Sequence, residues 1–149
     1  MKYAKKDAKP YARQHMRGIW AAALTPFTAT GAIDEPGFRS NIRHWLDELA
    51  IDGLFIAGKQ GEFFSMSVEE RKRTFEIAVE ASAGRGQTIM SCSDQNMDVV
   101  IDLARHAQRC GADYIVVHAP VLHFLKEQDE TLVRYYETVC GAVDIGVAL

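Results

Sequence analysis

Two glycines bracket a lysine and a glutamine at Gly58-Lys59-Gln60-Gly61, and Glu62 follows directly. Glycines at that spacing permit a tight turn in which successive backbone N–H groups converge. Such a concavity receives a carboxylate or phosphate oxygen. Lys59 would add positive charge, and Glu62 could close the turn or pair with a neighbour. The same residues also suit an ordinary turn carrying an exposed lysine. A phosphate-binding P-loop is excluded, because no Gly-Lys-Ser/Thr completes the pattern.

The other reactive side chains fall at comparable places. Thr25 precedes Pro26-Phe27, Cys92 opens Cys92-Ser93-Asp94-Gln95, and His118 opens His118-Ala119-Pro120, with His123 beyond. Cys92 would be a nucleophile if its pKa were lowered, although inert packing is the commoner role of a buried cysteine. His118 could be a base or a ligand. With His123, Asp94 and Glu62 it could be imagined around a metal, but no H-x-H or H-x-x-x-H spacing supports that, and no metal is expected. His44 and His106 read as surface or half-buried helix residues, and Tyr135-Tyr136 as packing. Cys110 and Cys140 stand beside glycines, where packing is again the default. Three cysteines without a C-x-x-C imply neither a disulfide framework nor a zinc ribbon. They fit a reducing cytoplasm.

These residues need a scaffold, and the chain spells one out. Short apolar runs at 19–24, 54–57, 88–92, 114–118 and 143–149 start 26 to 35 residues apart, the size of one βαβ unit. Helical stripes lie between them. The first holds Phe38, Ile42, Trp45, Leu46 and Leu49. The second opens on Ser67 with Glu70 three residues later, a capping box, and continues through Phe75, Ala78 and Val79. The third holds Val99, Leu103, Ala107 and Cys110, and the fourth Leu132, Tyr135, Tyr136 and Val139. Gly53, Gly84, Gly111 and Gly141 each follow a stripe and read as helix stops. Strands alternating with helices predict a parallel sheet covered by helices. In such folds the chemistry sits where strands run into the following loops, which is where Thr25, the Gly58–Gly61 turn, Cys92 and His118 all fall.

Two architectures satisfy this order. A doubly wound, flavodoxin-like sheet has five strands but normally ends on a covering helix. A (β/α)8 barrel needs about 250 residues, and these 149 supply the first five strands. Stopping at Val147-Ala148-Leu149, apolar and inside a strand, suggests a portion of a longer polypeptide, because a natural end is usually polar and frayed. A receiver-type domain is excluded, since the first strand runs into Thr25-Pro26 with no acidic cluster.

Composition is that of a globular domain: 48% hydrophobic, 25% charged and 9% aromatic, with a formal charge of −3. No apolar window is long enough for a membrane span. Residues 1–17 carry six cationic side chains against one acid, a net +5, leaving −8 on the remainder. This basic extension could suggest nucleic acid or a membrane surface, but a solvated helix or tail is the ordinary reading. It has no apolar core of a secretory signal. Neither nucleic acid nor membrane is expected as a partner.

Several motifs, taken in order, resemble the dihydrodipicolinate synthase / N-acetylneuraminate lyase family. They are GIWAAALTPF at 18–27, GLFIA at 53–57 leading into Gly58-x-x-Gly61-Glu62, SVEER at 67–71, and GAD at 111–113 before a run that ends at Pro120. The resemblance covers residues 17–149. It implies the first half of a (β/α)8 barrel, with 1–17 as an N-terminal helical extension and 18–149 as a partial catalytic domain. It also implies Schiff-base chemistry on pyruvate or another 2-oxo acid, in which a lysine amine attacks the keto carbon and the imine then serves as an electron sink. No further cofactor is implied. Thr25, Gly58, Lys59, Gln60, Gly61 and Glu62 would hold the substrate carboxylate side, with Cys92 and His118 as possible contributors at strand ends. Members are commonly dimers or tetramers.

The departures are specific. Lys59 and Gln60 stand where the best-known members carry two hydroxyls, one of which relays protons, and Val121-Leu122 replaces an aromatic pair. These changes favour a hydratase-aldolase, a sugar-acid dehydratase or a divergent branch of the family over the synthase reaction. The family's catalytic tyrosine and Schiff-base lysine find no match before Leu149. A non-catalytic half-barrel that binds a 2-oxo acid, or assembles with a partner half, is the alternative. In one variant Lys59 itself forms the imine.

Overall fold

The structure, a computed structural model, describes residues 2–120 and 129–149. Val121, Leu122 and His123 lie outside the described residues. Helix α1 (Ala8–His15) precedes β1 (Trp20–Ala22). Then follow α2 (Glu35–Arg43), β2 (Gly53–Ile56), α3 (Val68–Ser82), β3 (Gln87–Ser91), α4 (Met97–Cys110), β4 (Tyr114–Val116), α5 (Asp129–Ala142) and β5 (Gly146–Ala148).

Strand order decides between the two architectures. All five strands are parallel, and they lie side by side in sequence order, β1-β2-β3-β4-β5. A doubly wound sheet must reverse direction and place a strand out of sequence order. Here none does, so the sheet winds one way, as in a barrel. The helices follow suit: α2 packs on α3, α3 on α4, and α4 on α5. Between this layer and the sheet lies the core, with Leu54, Ile56, Met90, Ile115 and Val117 meeting Phe38, Ile42, Phe75 and Leu103, all fully buried.

Local signals explain most element boundaries. Asp34 caps α2 by accepting from the Gly37 N–H, and Pro36 sits in the first turn, where its missing N–H costs nothing. The Ser67/Glu70 capping box is formed in both directions. Asn96 caps α4 by accepting from the Asp98 N–H, and Gly111 closes that helix at φ +88°.

Three details differ from the sequence expectation. After α2 the helix widens into a π-type stretch, His44–Glu48. That wider turn rotates Leu49 off the buried stripe, and it is exposed. The left-handed residue there is Ala50, not Gly53. Gly53 is required instead by packing, because a Cβ on it would lie 2.5 Å from the Trp20 indole. Gly141 does not stop a helix either; it lies inside the last turn of α5.

The N-terminal extension docks at the end of the sheet where the strands begin. Tyr11 donates to Asp113 Oδ1 (2.5 Å), and its hydroxyl lies 2.9 Å from the Gln87 side-chain amide. Lys2 pairs with Asp113 at 2.8 Å, and Tyr114 donates to the Ala8 carbonyl. Asp113 is fully buried and also receives the Thr88 N–H and hydroxyl. The extension is therefore docked rather than a solvated helix or tail: Tyr3 and Tyr11 face inward, and Lys2 and Lys5 bond Asp113 and the Val143 carbonyl. No described helix is long and apolar enough to cross a membrane.

Candidate functional site at the strand ends

Beyond the C-terminal end of β2 the chain turns sharply. Ala57 (φ 50°) and Glu62 (φ 57°) are both left-handed without being glycine, a strained arrangement of the kind found at binding sites. Between them, Gly58 and Gly61 are dictated by contact. A Cβ at Gly58 would lie 2.6 Å from the Phe55 ring, and one at Gly61 would lie 2.8 Å from the Ala23 carbonyl oxygen. The buried Thr25 hydroxyl donates to the Gly61 carbonyl at 2.9 Å, fixing the turn to the chain just past β1.

The turn leaves donors unspent. The Glu62 N–H donates to the Lys59 carbonyl (3.1 Å) and the Phe63 N–H to the Gly58 carbonyl (3.4 Å). Among the described residues, the N–H groups of Lys59, Gln60 and Gly61 meet no backbone acceptor. Unspent donors in a tight turn are what an anion-receiving turn requires.

Around the turn the surface is hollow. A cavity of about 280 Å³ is lined by Lys59, Phe63, Ser93, Asp94, His118 and Ala119, among others. It adjoins a larger cavity of about 530 Å³ that reaches Met66, Val68 and Arg71. Lys59 is exposed and lines both cavities. The Ser93 hydroxyl accepts from the His118 N–H at 3.0 Å and lies 3.3 Å from its Nδ1, so β3 and β4 present that imidazole together.

The candidates thus separate. Thr25, Gly58, Lys59 and Gly61 build the turn, and His118 faces it across the smaller cavity. Gln60 is exposed. Glu62 is exposed too and closes the turn through its backbone rather than its carboxylate. Cys92 is fully buried in the core, and burial pushes its thiol pKa far up, the reverse of what a nucleophile needs.

One organising residue escaped the sequence reading. Arg71 is 2% exposed and donates to the Ser91 and Ser93 carbonyls (3.1 and 2.8 Å) and to Asp94 (3.2 Å). Its guanidinium also lies over the Phe63 ring at 5.1 Å. Burial lowers its pKa, while Asp94 opposes the shift. A signal was present. Arg71, Thr74, Phe75 and Ala78 share one helical stripe, and an arginine on an otherwise buried face needs partners.

Fold and site together describe the first half of a (β/α)8 barrel with a tight glycine turn beside two cavities at its strand ends. The chain matches the model of the dihydrodipicolinate synthetase family over residues 15–149, and it belongs to that family. It is 36% identical over 129 residues to an N-acetylneuraminate lyase of Clostridium perfringens, covering 87% of this chain and 44% of that enzyme. Its fold matches the Clostridium difficile protein CdNal, solved in complex with mannosamine, with a TM-score of 0.82 and 34% identity over 89% of this chain and 45% of that one. It also matches YagE of Escherichia coli K12, a dihydrodipicolinic acid synthase family member solved with pyruvate. There the TM-score is 0.80 and the identity 36%, over 87% of this chain and 43% of that one. The chain spans less than half the length of these relatives.

Proposed function

We propose that this chain is the carboxylate-binding half of a Schiff-base-forming lyase that acts on pyruvate or another 2-oxo acid. The observation that carries this reading is the Gly58–Gly61 turn, with three unspent N–H donors beside Lys59 at the strand ends. A 2-oxo acid would lay its carboxylate in the turn and its keto carbon toward the axis of the barrel. The lysine that attacks the carbon, and the tyrosine that moves protons, would then come from polypeptide beyond Leu149. Lys59 is left out of the attack, because its side chain stands exposed on the turn itself.

Lys59 and Gln60 lack hydroxyls, so the turn itself supplies no proton relay. That favours aldol cleavage or addition, or dehydration of a sugar acid, over the synthase reaction. The resemblance to YagE, whose structure holds pyruvate, supports the choice of ligand. A cytoplasmic homo-oligomer, dimer or tetramer, completes the proposal.

The test is reductive trapping. The purified protein is incubated with pyruvate and borohydride, and its intact mass and modified peptide are determined. A reduced pyruvate adduct on a lysine outside residues 1–149 supports the proposal. An adduct on Lys59, abolished by Lys59→Ala, would replace it with a different nucleophile. Pyruvate binding without any adduct would favour the non-catalytic half-barrel.

A further inference from the structure

On the outer helical layer, at neither end of the sheet, three groups of different chemistry converge. Glu76 projects from α3, while His106 and Cys110 project from α4 four residues apart and so on one face. Their ligating atoms, a carboxylate oxygen, an imidazole nitrogen and the thiol sulfur, all lie within 4.8 Å of one another, and all three side chains are partly buried. We propose that Glu76, His106 and Cys110 form a binding site for a divalent transition-metal ion of the zinc type, clamping α3 to α4.

The geometry is close to what such an ion requires. Bond lengths of about 2.0–2.3 Å to O, N and S place tetrahedral neighbours roughly 3.3–3.6 Å apart. His106 Nε2 and Glu76 Oε1 already stand 3.2 Å apart. The remaining separations in the cluster, those to the sulfur included, are at most 4.8 Å. Moreover, His106 Nε2 is buried and makes no hydrogen bond within the described structure. Its contact with Glu76 has the distance of a hydrogen bond without the direction. A buried imidazole nitrogen with no directed partner, beside a carboxylate and a thiol, is a ligand atom awaiting an acceptor.

The surroundings support a cation there. Arg73 donates to the far oxygen of Glu76 at 2.9 Å, which orients the carboxylate and leaves Oε1 for the metal. The guanidinium charge is itself engaged by Glu35 through two bonds, at 2.8 and 2.6 Å. A neutral imidazole, a carboxylate and a thiolate would balance a divalent ion. On binding, the thiol proton passes to solvent, and water would complete the fourth position. Sulfur with nitrogen selects zinc-type ions over magnesium or calcium.

Cobalt(II) is the probe. Untagged, reduced protein is titrated with Co2+ and followed by absorption, with Zn2+ competition as a second measurement. The expected result is a sulfur-to-cobalt charge-transfer band with tetrahedral d–d bands, displaced by Zn2+. Cys110→Ser removes the charge-transfer band and Cys140→Ser leaves it. His106→Gln and Glu76→Gln each weaken Co2+ binding by about tenfold or more. Circular dichroism confirms that every variant is folded. The proposal is overturned if the wild type shows no charge-transfer band, or if the band survives Cys110→Ser. It is equally overturned if neither His106→Gln nor Glu76→Gln changes the affinity. None of these outcomes depends on the lyase reading.

Discussion

The Thr25 hydroxyl donates to the Gly61 carbonyl at 2.9 Å, across 36 residues of sequence. This single bond ties the chain after β1 to the far side of the turn after β2, and so sets where the unspent N–H groups point. It is buried, and its removal leaves a carbonyl with no replacement. Thr25→Val keeps the shape and deletes the donor. The expected cost is about 1–3 kcal/mol in urea unfolding, with a weaker hold on pyruvate. Thr25→Ser should restore both. Equal stability of the valine and threonine proteins would show that the bond does not fix the turn.

Arg71 makes a comparable tie from the other side, joining α3 to the end of β3 through Ser91, Ser93 and Asp94. Its replacement strands two carbonyls, and Asp94 loses its cation. Arg71→Ala should therefore cost more than about 3 kcal/mol, the range for breaking a buried charged pair. Arg71→Lys should recover little of it, because a single ammonium cannot span the fan of acceptors that the planar guanidinium reaches. Denaturant midpoints of the three proteins check this. A lysine variant as stable as the parent would mean that charge alone matters.

Much of this was legible in the sequence, for identifiable reasons. The capping box at Ser67 and Glu70 is a local device, so spacing alone revealed it. The tight turn at Gly58–Gly61 was likewise written in two glycines and a strand end. Periodicity alone did not reveal strand order, because the same βα spacing serves a doubly wound sheet; the family motifs implied the barrel, and the strand pairing shows it. Gly53 and Gly141 misled for a related reason. A glycine after a helical stripe suggests a left-handed stop, yet Gly53 answers to the indole of Trp20, a contact 33 residues away. Arg71 hid among charged residues of its own helix, and its partners come from another element. The inward tyrosines of the basic extension were masked by the lysines around them.

The glycines allow a test in which the sign of the effect differs. A Cβ at Gly61 would meet backbone on two sides, Ala23 O at 2.8 Å and Ala57 Cα at 3.2 Å. Backbone cannot step aside cheaply, so Gly61→Ala should destabilise by about 1–3 kcal/mol. Gly141 lies in a helix, and a Cβ there meets open space. Gly141→Ala should stabilise by up to about 1 kcal/mol. Thermal unfolding of both variants is sufficient, and two shifts of the same sign would contradict the packing account.

The docked extension predicts an alkaline transition. Burial pushes the Tyr3 phenol up to about 12, and burial together with Asp113 moves Tyr11 in the same direction. Unfolded phenols ionise near about 10. Between those values the folded chain holds protons that the unfolded chain has released, so stability falls as pH rises. The contribution of these tyrosines is thus fully present below about pH 10 and is lost as the pH climbs through about 12. Tyr3 also accepts from the Gly146 N–H at 2.9 Å, which links its ionisation to the start of β5. Phenolate absorbance and circular dichroism, recorded together, should show late ionisation accompanied by loss of structure. Tyr3→Phe should make that loss shallower, since one of the linked protons is gone. Phenols that all titrate near pH 10 with the fold unchanged would mean that the extension is not docked against the sheet.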